Sequence, residues 1–491
     1  MEINTICIVG GGSSGWMTAA LLSKKFPKKK ITLIESPDIP KMGVGESTLG
    51  RFNYYLEQLE LKDKDWMPKC DATYKTSIGF KNFREGKGER FQYPFGYWDC
   101  DNLVHFFNLQ RMYGREIYSI EEFARFYNKN TYLADYGKIN NEIPNSTFDF
   151  SIDTAYQLNA SKFGIYLRDH IAVPNGVCHI RENVNQIVRK DGFIESVITD
   201  HHAIIADLFI DCTGFKSLLL DSEFISFNDQ LFNDKAIATH IPYTDKETQM
   251  KTYTDCVGMS SGWSWTIPLW NEMSTGYVYS SQFISDEDAE KEFREYLNGY
   301  DGEFRYINIK HGKHKEAWVN NVVGIGLAYG FIEPLESTGL LTTHENIINL
   351  CGVIHFSDML RKPITQSVIS RFNKEIDERT EDLKNFTIWH YILSSRDDTP
   401  YWRAYKNIKI KGINTPKEII SKKLTIPHGK PDGLLYIGVG MNCQPYHIPD
   451  VLDLESIHLR YIRDRENMIE WVKQQPSHYQ YLKDNIYSSD K

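Results

Sequence analysis

Residues 3–36 constrain the fold of this chain more than any other stretch. "INTICIV" at 3–9 is a short, β-rich apolar run, and "SSGWMTAALLSKKF" at 13–26 places Trp16, Ala19, Ala20 and Phe26 at helical spacing. "ITLIES" at 31–36 then reads as a second buried strand, so the segment predicts a βαβ unit. The turn between strand and helix carries Gly10-x-Gly12-x-x-Gly15. Gly10 permits a tight turn, Gly12 lets a pyrophosphate approach the backbone, and Gly15 lets helix and strand pack closely. The helix N-terminus favours the anion. Glu35, about 20 residues further on, is placed to accept ribose hydroxyls. The pattern predicts an α/β fold that binds a dinucleotide, without choosing between FAD and NAD.

Downstream, residues 50–150 are aromatic and rich in turn signals, with helical segments near 51–62 and 103–128. "VCHIRENVNQIV", "IESVIT" and "AIIADLFIDCTG" between 177 and 214 read as strands, the last ending on a glycine loop of the kind that flavoproteins return to the cofactor. Taken alone, that segment is equally a core strand with a turn. "GWSWTIPLW" and "TGYVYSSQF" at 262–283 alternate with period two, as a half-buried antiparallel sheet does. Residues 340–395 turn helical, 403–437 read as irregular, and 452–486 form a charged helical tail. There is no low-complexity linker, so any domains are interwoven in sequence.

Composition excludes several classes. The chain has 491 residues, 41% hydrophobic and 25% charged, which suits a globular protein with a large core. Its net charge of −9 and pI near 6.0 argue against nucleic acid as a partner. Eight scattered cysteines form no CxxC pair and no zinc-spaced cluster, which predicts reduced thiols and no metal site. The N-terminus lacks a secretory pattern and no apolar window is long enough for a membrane span, so the expected location is cytoplasmic, with no membrane association.

Other local strings carry less on their own. "GVGEST" at 43–48 offers small residues beside Glu46 and Ser47, which can hydrogen-bond a flat cofactor. "GWSWTIP" sets Trp263, Trp265 and Ile267 on one strand face, where spacing alone favours core over a ligand wall. Lys75 in "DATYKTSIGF" is a surface lysine or, in an apolar setting, a reactive amine. His390 reads as a packed helical histidine. "EPLESTG" at 333–339 reads as an acidic turn followed by a helix started by Ser337 or Thr338.

Taken in order, "GGGSSGWMTAA", "LIESPDIPKMGVGEST", "WMPKCDATYK", "ADLFIDCTG", "GWSWTIP", "AWVNN", "FIEPLESTG", "SRDDTPYW" and "GVGMN" resemble the flavin-dependent halogenases of the tryptophan-halogenase type. The match covers most of the chain, and GxGxxG with GWxWxIP is its most specific pairing. The resemblance implies a Rossmann-like FAD-binding domain of the flavin monooxygenase type, an antiparallel substrate-side sheet and a C-terminal helical subdomain. We expect a body at 1–345 and a helical subdomain at 346–491.

In that family a separate flavin reductase supplies reduced FAD, which with O2 oxidises halide to hypohalous acid. The acid passes through a tunnel to a lysine, and an electron-rich aromatic carbon takes the halogen. By position, Lys75 is that lysine and Glu336 the carboxylate that polarises the halogen donor or takes the arene proton. The backbone N–H groups of Thr338 and Gly339 would hold halide at the helix start. Gly10, Gly12, Ser13, Ser14, Gly15, Glu35, Ser36, Ile39, Lys41, Glu46, Ser47, Val184, Leu327 and Leu340 would contact FAD. Trp263, Trp265, Ile267, Tyr93 and Phe95 would line the tunnel or the substrate.

The departures concern the substrate. Free-tryptophan halogenases carry a longer aromatic-rich segment where this chain has 403–437, which offers Tyr405 and Tyr436, and "FQYPFG" puts Tyr93 where a histidine is common. The expected substrate is therefore an indole, phenol or related aromatic rather than free tryptophan. The sequence does not choose among chloride, bromide and iodide, and it leaves a homo-oligomer open. The rival readings are a flavin monooxygenase that inserts oxygen and an FAD-binding protein without catalysis.

Overall fold

A computed structural model describes residues 1–39, 45–96, 103–410, 416–424 and 433–488. Its contacts divide the chain into two compact units, each built from three separate segments. Unit 1 comprises Met1–Ala72, Leu158–Leu231 and Lys310–Lys384, and unit 2 comprises Thr73–Gln157, Phe232–Ile309 and Asn385–Lys491. This division is a different cut from a sequential boundary at 345. Among the described residues no helix is long and apolar enough to cross a membrane.

Unit 1 is built on strand β1 (Thr5–Val9), helix α1 (Ser13–Lys25) and strand β2 (Lys30–Ile34). β1 lies at the centre of a six-stranded sheet, paired in parallel with β2 on one side and with Leu208–Asp211 on the other. Cys178–Ile180 extends the sheet beyond β2 and Val322–Gly324 extends it beyond Leu208–Asp211, both in parallel. Trp318–Val319 adds an antiparallel edge. The central strands read as unbroken apolar runs because both faces are covered. Cys7, Ile8, Leu33, Phe209 and Ile210 are all fully enclosed.

The spacing of α1 suggested one buried stripe, but every residue from Gly15 to Ser23 is buried. The helix is enclosed on all sides, which its small residues Ala19 and Ala20 permit.

Unit 2 holds a seven-stranded sheet ordered Arg305–Asn308, Lys235–Ile241, Met273–Tyr279, Gly262–Pro268, Tyr253–Gly258, Ser77–Lys81 and Arg90–Pro94. It is antiparallel except where Tyr253–Gly258 meets Ser77–Lys81. The half-buried expectation fails here, since every residue of Met273–Tyr279 is buried. Its alternation is of large and small side chains rather than of apolar and polar ones. Residues 403–437 are only partly irregular where described: 406–410 form no regular element, but helices stand at Pro400–Tyr405, Pro416–Leu424 and Gly433–Gly440. The charged tail forms the helices Leu454–Lys473 and His478–Asn485.

Candidate active site

The glycine turn of unit 1 is shaped by its sequence. Gly10 has φ +116°, and a Cβ there would lie 2.2 Å from the Cys212 carbonyl oxygen. Only glycine fits that backbone so close to the returning strand. A Cβ on Gly15 would meet the Gly10 carbonyl at 1.9 Å, whereas one on Gly12 would meet nothing within 4 Å among the described residues. Gly12 thus leaves open space at the head of α1, which no side chain caps. A pyrophosphate fits that arrangement of open space and helix N-terminus. The loop after Leu208–Asp211 returns to this turn, as the sequence suggested.

Sequence reasoning missed several residues here. Gly11 leaves room for Glu35, since a Cβ would fall 2.3 Å from its side chain. Glu35 pairs with His179 Nε2 at 2.9 Å, and the His179 ring meets Trp16 edge-on at 4.8 Å. Burial holds the His179 imidazole below its ordinary pKa despite that carboxylate. His179 is brought beside Glu35 by the parallel register of Leu33 with His179, which the sequence alone does not state. Asp211 is fully buried and its carboxylate accepts four hydrogen bonds, from the N–H and Oγ1 of Thr213 and from the N–H groups of Leu219 and Leu220.

The "EPLESTG" loop lies in the same unit. Pro334–Glu336 forms a single 3-10 turn, Ser337 follows in the left-handed conformation at φ 59°, and the helix Thr338–Leu360 begins. Ser337 does not cap that helix. Its Oγ lies 3.0 Å from Ser47 Oγ instead. Thr338 is buried, and among the described residues its hydroxyl has no hydrogen-bond partner. A buried hydroxyl without a partner is costly, and beside an uncapped helix start it marks a place suited to an anion.

Glu46 reaches this point, with Oε2 3.6 Å from where a Cβ on Gly339 would stand. Burial pushes its carboxyl up to about 7. Thr343, another residue the sequence reading missed, donates to the Gly339 carbonyl at 2.9 Å. Gly326, at φ +65°, has no room for a Cβ between Ser14 Oγ at 2.3 Å and Thr343 Oγ1 at 3.4 Å. Through these contacts the glycine turn and the "EPLESTG" helix belong to one packed locale of unit 1.

The remaining predicted cofactor residues spread over the same unit. Ser36 Oγ donates to Asn183 Oδ1 at 2.5 Å, next to Val184 at the start of its strand. Leu327 sits in the turn Gly326–Ala328 and Leu340 is buried in the helix. Ile39 is 60% exposed, so it offers an apolar surface and no core contact. Lys41 lies outside the described residues. Glu336 is 2% exposed and Glu333 is fully buried.

Unit 2 carries the other predicted residues. Lys75 ends the strand Thr73–Lys75, is wholly buried and sets its Nζ 5.0 Å from the centre of the Phe95 ring. It is not a surface lysine. Phe95 meets Tyr93 edge-on at 5.9 Å, and Tyr93 stacks on Tyr436 at the same centroid distance. Trp263 and Trp265 are 1% and 9% exposed with ring centroids 6.2 Å apart, and Ile267 continues their face. The Trp265 indole lies against Gly276, where a Cβ would meet the ring at 2.1 Å. His390 is buried, and its Nδ1 lies 3.0 Å from the Phe386 carbonyl, as a packed helical histidine should.

A parallel-stranded unit whose glycine turn and returning strand loop meet at a helix N-terminus defines the dinucleotide-binding class of α/β folds. The particular family follows from comparison. Residues 5–422 match the profile of the family described as tryptophan halogenase. The chain is 33% identical over 437 residues to the tryptophan 6-halogenase ThaL of Streptomyces albogriseolus, covering 83% of this chain and 80% of the relative. The VirX1 apo structure superposes with TM-score 0.92 at 44% identity over 99% of this chain and all of that one. BrvH, a flavin-dependent halogenase from Brevundimonas sp. BAL3, gives TM-score 0.86 at 30% identity over 98% and 99% of the two chains. The chain belongs to the tryptophan halogenase family and is a flavin-dependent halogenase, as the resemblance implied.

Proposed function

We propose that the chain halogenates an electron-rich indole, phenol or related aromatic other than free tryptophan, using FAD supplied in reduced form by a separate reductase. The observation that carries the halide part is the uncapped start of Thr338–Leu360, with the buried Thr338 hydroxyl beside it, which has no partner among the described residues. Bound there, FAD supplies with O2 the two-electron oxidation that turns halide into hypohalous acid.

The protein does the rest. Gly10, Gly12, Ser13, Ser14 and Gly15 cradle the pyrophosphate, and Glu35 accepts from the ribose once His179 shares it. Ser36, Ile39, Glu46, Ser47, Val184, Leu327 and Leu340 would shape the remaining contacts with the cofactor. The N–H groups of Thr338 and Gly339 hold halide. Lys75, as a neutral buried amine, takes the halogen from hypohalous acid as water leaves, and the arene carbon then takes it as the N–X bond breaks. Glu336 accepts the ring proton, and the amine nitrogen regains one to close the cycle. Trp263, Trp265 and Ile267 exclude water and bulk from that path.

The substrate argument rests on the aromatic side chains of unit 2. Tyr405 is fully buried, stacks on Tyr391 at 4.3 Å, and its hydroxyl accepts from the Phe232 N–H. It is committed to the core, which leaves Tyr436 as the aromatic of residues 403–437 that stacks on Tyr93. The rival substrate is free tryptophan, which the name of the ThaL relative favours. A monooxygenase would give product without halide.

The deciding experiment is mass spectrometry of an indole, phenol, aniline and tryptophan panel, incubated with reductase, NADH and each halide in turn. Halogenated indole or phenol with little halotryptophan is the expected result. Efficient halogenation of free tryptophan would sink the substrate reading, and oxygenated product without halide would sink the reaction. Lys75→Ala should abolish arene halogenation while halide-dependent hypohalous acid formation, trapped by a chlorination-sensitive dye, persists. Glu336→Gln should slow arene halogenation by about two orders of magnitude, and an unchanged rate removes Glu336 from that role.

A further inference from the structure

The strand that bears Lys75 is only three residues long, and all three are buried. Lys75 stands opposite Ala155 in the paired strand Ala155–Asn159. The neighbouring backbone groups find partners elsewhere. The Tyr74 N–H donates to His478 Nε2 at 3.1 Å, and the Thr76 N–H donates to the Thr252 carbonyl at 2.7 Å. The Thr76 carbonyl accepts twice, from the Phe95 N–H at 2.8 Å and from Asn130 Nδ2 at 2.9 Å.

The clamp extends to the ring that Lys75 meets. Asn128 Nδ2 donates to the Phe95 carbonyl at 2.9 Å, and Asn128 Oδ1 accepts from the Asn130 N–H at 3.0 Å. One asparagine thus holds the lysine strand, the other holds Phe95, and the two are bonded to each other. Asn128, Asn130 and His478 are 1%, 0% and 0% exposed. Their side chains bond to backbone groups directly flanking Lys75 and to Phe95, from a helix end near 130 and from the far C-terminal helix. The backbone groups beside Lys75 need partners once buried, and these three side chains supply them; an apolar residue in any of the three places would take that partner away.

We propose that Asn128, Asn130 and His478 are positioning residues for Lys75, fixing the backbone on both sides of it and the backbone of Phe95 so that its amine points in one direction. The proposal rests on the reading of Lys75 as the amine that receives halogen. His478 has its tautomer set by its neighbours. Nε2 accepts from Tyr74, so the proton sits on Nδ1, 3.1 Å from the Lys251 carbonyl it donates to. Burial holds the imidazole neutral, with its pKa pushed down to about 4. A glutamine can reproduce one acceptor and one donor at that place, whereas alanine supplies neither.

The test uses the full chain with Asn130→Ala, Asn128→Ala, His478→Ala and His478→Gln, each checked for folding by thermal melting. One readout needs neither flavin nor halide: the rate at which cyanate carbamylates Lys75, followed against pH by peptide mass spectrometry. The other is kcat and KM for an arene the wild type halogenates. The alanine variants should move the carbamylation midpoint and lower kcat by about ten- to a hundredfold with KM little changed, while His478→Gln keeps both close to wild type. Folded Asn130→Ala and His478→Ala proteins with wild-type carbamylation and kcat would overturn the proposal. If Asn130→Ala does not fold, the two His478 variants decide it. A shifted carbamylation midpoint in the variants, combined with full halogenation by Lys75→Ala, would instead overturn the role of Lys75 and leave the clamp standing.

Discussion

Asp211 is a residue whose importance is structural and whose loss should still reach the cofactor. Its four hydrogen bonds fix the loop from Thr213 to Leu220, and the carbonyl just after it, on Cys212, sets the space around Gly10. Asparagine keeps the shape but exchanges two acceptor lone pairs for N–H donors aimed at N–H groups. Asp211→Asn should cost about 2–4 kcal/mol in urea unfolding and weaken FAD binding measured by flavin fluorescence. Gly10→Ala should act more directly, since the added methyl meets the Cys212 carbonyl and φ is positive. It should abolish FAD binding outright. The glycines were legible because positive φ and close backbone approach demand one residue type. Asp211, Thr343 and His179 were not, because a short polar residue at a strand or helix end looks the same whether it holds a turn or faces solvent.

At the scale of elements, the strand Gly262–Pro268 shows what a period of two can and cannot convey. Its direction, its antiparallel pairing and the shared face of Trp263, Trp265 and Ile267 were all readable. Burial of both faces was not, because the partner strand Met273–Tyr279 places Gly276 opposite Trp265, so glycine fills the role that a solvent face would otherwise have. Gly276→Ala should displace the indole and cost about 1–3 kcal/mol, measured by chemical denaturation with the tryptophan emission of Trp265→Phe as control. The helix after Glu336 was likewise legible in position, with its first residue at Thr338. What the spacing could not give is that Ser337 adopts a left-handed turn and bonds Ser47 instead of capping, because that choice depends on a residue 290 positions away in the chain. Residues 403–437 read as irregular because Lys and Pro interrupt each short apolar run, and packing overrides that local signal in Pro416–Leu424 and Gly433–Gly440.

At the scale of the whole molecule, pH should act through buried groups of opposite sign. Burial lowers His344 and His478 from 6.5 to about 4, so between those values the unfolded chain binds protons that the folded chain refuses. Stability then falls as pH drops through that window, by roughly 3 kcal/mol for each fully enclosed imidazole at its lower end. Glu46 works the other way. Its folded pKa is raised from 4.5 to about 7, so the folded chain holds a proton the unfolded chain has lost, and stability falls as pH rises through that window. Between pH 4.5 and 6.5 the two effects oppose each other. Between 6.5 and 7 only Glu46 among these three still titrates. Glu46→Gln removes its contribution without removing the side chain's volume, so melting temperature should then rise more steeply from pH 4.5 to 6.5 than in the wild type and stay flat from there to pH 8. His478→Gln should do the reverse, making the acid side shallower. Melting curves of the three proteins from pH 4 to 8, without flavin or halide, test both directions together. Parallel curves for Glu46→Gln and wild type would show that the Glu46 carboxyl is ionised in the folded protein at neutral pH, and would place a full negative charge beside the helix start at Thr338 where halide is proposed to bind.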